Sequence, residues 1–135
     1  MPFLNWAPKM SVGIESIDEQ HKKLIGQINS VVDIMLMQAD SNADLNDVMD
    51  ALVDYTRTHF AFEESLFAEH QYTETSDHIS HHEHLRNGLM SHIDKFRRGQ
   101  LDKARFLEFL KDWLINHIME TDMKYSEFLR DRGVV

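Results

Sequence analysis

The sequence contains no cysteine, two prolines and five glycines in 135 residues. Without a thiol there can be no disulfide, thiolate metal ligand or Fe–S cluster, so any metal chemistry must use nitrogen and oxygen donors. So little proline and glycine excludes a strand-and-turn architecture, where turn residues recur every 8 to 12 positions or about that, and favours long uninterrupted helices. Basic residues are outnumbered too: 14 Lys and Arg against 23 Asp and Glu give a formal net charge of −9. That excludes nucleic acid as a partner, because phosphate binding rests on clustered cations. No apolar run approaches the ~18 residues of a membrane span, and the opening MPFLNWAPKM lacks the basic-then-apolar pattern of a signal peptide. The expectation is a cytoplasmic protein with no membrane partner.

What the sequence does have is histidine, nine in all, and a helical apolar period. At this length one domain over 1–135 is the natural reading. After an N-terminal arm, 1–15, Ser16-Ile17-Asp18-Glu19 has the form of a capping box with Ser16 as N-cap. From there Ile17, His21, Leu24, Ile25, Ile28, Val31, Val32, Met35 and Leu36 recur at steps of three and four, which predicts a helix over about 17–38, broken at Asp40-Ser41-Asn42. The same period predicts helices over about 43–70, 76–98 and 102–130. Thr75 or Ser76 is the expected cap of the third, and Gly99 its left-handed terminator. Four such helices on short loops imply an all-α, up-down-up-down antiparallel four-helix bundle.

The period also puts polar residues where the core should be. His21, His59, Glu63, His78, His82 and His117 fall on the apolar stripes of all four helices, and Asp122 follows His117 by five. His59 and Glu63, like His78 and His82, are i, i+4 pairs that direct two donor atoms at one point. Any single inward histidine is readily explained as a hydrogen-bonded core residue. Burying all seven without partners would cost roughly 1 to 3 kcal/mol each, against a net stability of about 5 to 15 kcal/mol. A metal removes that penalty. Seven side chains exceed what one first-row ion takes, so two metals are expected, bridged by the carboxylates. Imidazole with carboxylate suits Fe, Mn, Zn or Cu alike.

These residues resemble the hemerythrin family over nearly the whole chain. The resemblance rests on Asp18-Glu19-Gln20-His21, preceded by Trp6 and Val12-Gly13-Ile14. It continues through His59-Phe60-Ala61-Phe62-Glu63 as H-F-x-x-E, His78 to His82 as H-x3-H, and His117 to Asp122 as H-x4-D. It implies two iron ions (Fe2+/Fe3+) with a bridging oxo or hydroxo group, His78, His82 and His117 on a six-coordinate iron, and His21 and His59 on an open one. Glu63 and Asp122 would bridge. The implied function is reversible O2 binding for transport, storage or delivery, not catalysis. The alternatives are a module sensing O2, NO or iron through a separate partner, and a di-iron redox enzyme, though the chain has no Glu-x-x-His pair of the ferritin-like kind.

Leu24, Phe60, Trp113 and Ile118 are expected around the O2 pocket, both as core and as a barrier to protons. Met119 either lines the pocket or fills space. Tyr125, three residues past Asp122, is placed to donate its hydroxyl to a bridging carboxylate. His70, His81, His84 and His92 match no ligand position; the first three are expected at the solvated surface. The five-residue spacing of His117 and Asp122 predicts a π-type irregularity, since an ideal helix would splay them by about 140°.

Overall fold

The computed structural model describes residues 3–36 and 42–135, apart from the side chains of 42, 43, 120 and 121. Its helices are α1 (Glu15–Met35), α2 (Asn42–His70), α3 (Thr75–Arg97), α4 (Lys103–Asn116) and α5 (Met123–Asp131), and the last two are joined without a break by a π turn, His117–Asp122. They form a four-helix bundle whose fourth rod is α4, the π turn and α5 in succession. α1 packs on α2 and α4, and α2 on α3. α3 comes close to α4 at Gly88, where an added Cβ would lie 2.9 Å from the Phe109 ring. Of the expected first break, Asp40 and Ser41 lie outside the described residues, as do positions 37 to 39, and Asn42 opens α2. No helix among the described residues is long and apolar enough to cross a membrane.

The helix ends follow local chemistry that differs from the expected caps. Ser16 is not the N-cap: α1 begins at Glu15 behind Ile14, which offers no side-chain cap. The start is fastened from within the helix instead. Asp18 accepts from the Val12 amide at 2.9 Å and from the Ser11 hydroxyl at 2.5 Å. Neither Thr75 nor Ser76 caps α3, which follows Glu74 with no side-chain cap bond; the Thr75 hydroxyl turns back to the Tyr72 carbonyl. Asp102 does cap α4, accepting from the Arg105 amide at 3.2 Å. Gly99, at φ +71°, ends α3 as expected, with bonds Gly99 N–H to Phe96 O and Gln100 N–H to Lys95 O that close a Schellman turn. Leu36 leaves the expected apolar face and is 62% exposed as the C-cap of α1.

The arm before α1 is built into the core. Leu4, Met10, Val12 and Ile14 are buried, and Leu4 exchanges two 2.8 Å hydrogen bonds with the Asn29 side chain. Apolar packing falls into two clusters. One contains Leu24, Ile28, Phe60, Leu89, Trp113 and Ile118; the other contains Val12, Ile17, Phe67, Tyr125 and Leu129. His21 falls between Ile17 and Leu24 on α1, Glu63 between Phe60 and Phe67 on α2, and Asp122 between Ile118 and Tyr125 on the fourth rod, while α3 gives buried residues to the first cluster alone. A polar layer therefore divides the core, walled by hydrophobic packing on both sides.

Candidate metal centre

α1 supplies His21, α2 supplies His59 and Glu63, α3 supplies His78 and His82, and the π turn supplies His117 and Asp122. All seven are buried, and the structure brings all of them together. The π turn is the irregularity that the spacing predicts. It returns Asp122 to the face of His117, so that His117 Nε2 lies 2.9 Å from Asp122 Oδ2. His21 Nε2 is 2.8 Å from the same oxygen, and His78 Nε2 is 3.2 Å from Oδ1. Glu63 Oε1 stands 3.0 Å from His82 Nε2, 3.5 Å from His59 Nε2 and 3.6 Å from His117 Nε2.

Donor atoms converge into two overlapping groups, each able to hold a metal ion: His21, His59, Glu63, His117 and Asp122, and Glu63, His78, His82 and Asp122. The two carboxylates belong to both groups, which is the position of bridges. His117 falls in the first group, although its ring lies near histidines of both. Its ring centroid is 5.5 Å from His59 and 5.8 Å from His21, and 5.4 Å from His82 and 6.3 Å from His78. Its Nε2 is turned toward His59 Nε2, 3.3 Å away. The resemblance instead pairs His117 with His78 and His82.

The donor set fits a metal on the structure's own terms. Glu63 Oε1, Asp122 Oδ1, His78 Nε2 and His82 Nε2 are buried and have no hydrogen-bond partner, although they crowd one another. Orphaned polar atoms are rare in folded interiors and costly, and four directed at a common space are accounted for by a cation. The charges agree. Burial and Asp122 push Glu63 up, but His59, His78 and His82 outweigh them and bring it down to about 2. Asp122, also opposed by burial, is held well below the carboxylate range by His117, His21 and His78. Burial lowers His59 to about 3, leaving it a neutral donor.

Around this layer sit groups that fix it. The Tyr125 hydroxyl donates to Glu63 Oε2 at 2.5 Å, the contact expected from its position three residues past Asp122. Gln20 Oε1 meets His59 Nδ1 at 2.7 Å and Glu64 Oε2 meets His82 Nδ1 at 2.8 Å, so each ring presents Nε2 inward. Sequence reasoning missed both, and only their adjacency to His21 and Glu63 could have drawn attention to them. Leu24, Phe60, Trp113 and Ile118 are buried beside the layer; Phe60 stacks on His82 at 3.9 Å and Trp113 on His117 at 6.2 Å. Met119 is partly buried against the same cluster.

The remaining histidines divide. His84 is exposed, as expected, while His70 is partly buried at the end of α2. His81 departs from the expected solvated face: it is partly buried, with its ring parallel to His117 at 6.1 Å. His92 packs against Phe106 and Phe109, away from the site.

Residues 12–129 match the model of the hemerythrin HHE cation binding domain. The chain is 33% identical over 130 residues to the bacteriohemerythrin of Pseudomonas aeruginosa (strain UCBPP-PA14), covering 96% of this chain and 84% of that one. It is also 33% identical to a hemerythrin-like protein of Naegleria gruberi, over 95% of this chain and 94% of that one. Among solved structures, that of a wild-type hemerythrin superposes with a TM-score of 0.82 at 25% identity, covering 93% of this chain and 97% of that one.

Proposed function

The chain belongs to the hemerythrin family, and from the site just described we propose that it binds O2 reversibly at a non-haem di-iron centre, as a carrier or store and not as an enzyme. The observation that carries this reading is the sharing of Glu63 and Asp122 by two groups of buried imidazoles. A pair of ferrous ions held there would supply the two electrons that reversible O2 binding requires.

The residues then have separate tasks. Glu63 and Asp122 would bridge the two ions and offset their charge. His78 and His82 would hold one ion and His21 and His59 the other, with His117 assigned by resemblance to the first. Tyr125 holds Glu63 in its bridging pose, and Gln20 and Glu64 hold His59 and His82 in theirs. Leu24, Phe60, Trp113 and Ile118 exclude water and protons, which favours release of intact O2 over its activation.

The test is gas uptake. Reduced, iron-loaded protein should take up one O2 per chain, with two irons per chain by metal analysis, and return it under vacuum. Uptake that is not returned, with continuing consumption of reductant, would contradict a carrier and favour an oxidase.

A further inference from the structure

Six of the seven side chains in the centre are fully buried; His78 alone keeps 5% exposure. Gln20 and Glu64 occupy the outer nitrogens of His59 and His82, and apolar packing closes the site toward Leu24, Phe60 and Ile118. Any cation must still get in. Beside His78 is a pocket of about 130 Å³ lined by Tyr72, Glu74, Asp77, His78, His81 and Lys124. His78 is thus both a wall of the pocket and a member of the centre, and its buried Nε2 has no hydrogen-bond partner. The larger groove between α3 and α4 reaches Trp113 but is lined by none of the seven.

We propose that this pocket is the loading port of the centre, through which Fe2+ passes from Glu74 and Asp77 to His78, with His81 alongside; the proposal rests on the di-iron reading above. The chemistry is graded along the path. Carboxylate oxygens at the mouth attract a hydrated dication and replace part of its water, and imidazole nitrogen takes it further in. The Tyr72 hydroxyl donates to Glu74 Oε2 at 3.1 Å and holds that carboxylate at the mouth. His81, in the pocket wall with its ring parallel to His117 at 6.1 Å, adds a second imidazole beside His78. Lys124 is the opposing charge in the wall.

Isotope exchange tests the port in the assembled protein. Reduced, iron-loaded protein is mixed anaerobically with 57Fe2+, and incorporation is followed by mass spectrometry. The E74Q/D77N variant should exchange roughly ten-fold more slowly, as loss of electrostatic focusing implies, while keeping the same final iron content. Lys124→Gln should exchange faster. E108Q/D112N, which removes the same charge from the α3–α4 groove, should match the unaltered protein. Unchanged exchange in E74Q/D77N, or equal slowing in E108Q/D112N, overturns the port. Should E74Q/D77N fail to fold, Asp77→Asn and Lys124→Gln, with effects of opposite sign, decide the matter. An unaltered protein that holds no iron would overturn the di-iron reading instead.

Discussion

His117 Nε2 stands 2.9 Å from Asp122 Oδ2, although the two residues are five apart on one helical rod. Only the π turn makes this possible, since five α-helical steps would leave them about 140° apart. Asp122 also meets His21 and His78, so one carboxylate faces imidazoles from three elements. Asp122→Asn keeps the shape and removes the charge. It should reduce iron from two per chain to one or fewer, as read by metal analysis. Two irons retained in this variant would show that Asp122 is not a bridge.

The Tyr125 hydroxyl reaches Glu63 across 62 residues of sequence. Tyr125→Phe keeps the ring and leaves a buried carboxylate oxygen without its donor. A hydrogen bond to a charged group is worth about 1.5–3 kcal/mol, and a loss of that size is expected in denaturant unfolding, with iron content near two. No change in stability would mean that the hydroxyl contributes nothing to holding Glu63.

Leu24 and Leu89 are both buried in the larger cluster, but only Leu24 lies one turn from a histidine of the centre. Leu24→Ala should admit water and speed conversion of the oxygenated form to the ferric form. Leu89→Ala should cost roughly 2 to 5 kcal/mol of stability with much less effect on that rate. Equal autoxidation rates in the two variants would contradict the assignment of Leu24 to the pocket wall.

Protons must leave as metal arrives. Burial lowers His78, but the neighbouring carboxylates of Asp122 and Glu63 outweigh it and raise it to about 9; His21 is raised, against burial, by Asp122. In the metal-free protein the charge of His78 therefore contributes stability in full below its ordinary value of 6.5, and that contribution is lost as pH rises through about 9. A metal needs the neutral ring. Loading with Zn2+ in weak buffer should release more protons at pH 7 than at pH 9.5, followed with an indicator dye. Equal release at the two values would contradict this account of His78.

The helical period made the rods and six of the seven polar residues legible, because a buried face repeats every three to four residues whatever the tertiary detail, and a histidine or carboxylate on it stands out; Asp122 entered through its five-residue spacing from His117. The H-x4-D spacing even located the π turn. What stayed hidden depends on contacts between segments. Asp18 fastens the start of α1, where Ser16 fits the pattern, because the arm folds back to present Ser11 and Val12. Gln71 turns the chain after α2 with φ +54°, a position where the expected signal is glycine. Gln20 and Glu64 count as ordinary surface residues until the neighbouring helices bring His59 and His82 to them. His81 is partly buried with its ring parallel to His117, a neighbour that the sequence alone does not bring to it.

The most direct test is the visible spectrum of reduced, iron-loaded protein carried through repeated cycles of O2 and argon. A charge-transfer band should appear under O2, disappear under argon and return with nearly the same amplitude, at two irons per chain. A spectrum unchanged by O2, or a band that converts irreversibly in the first cycle, would contradict reversible binding at the Glu63 and Asp122 centre.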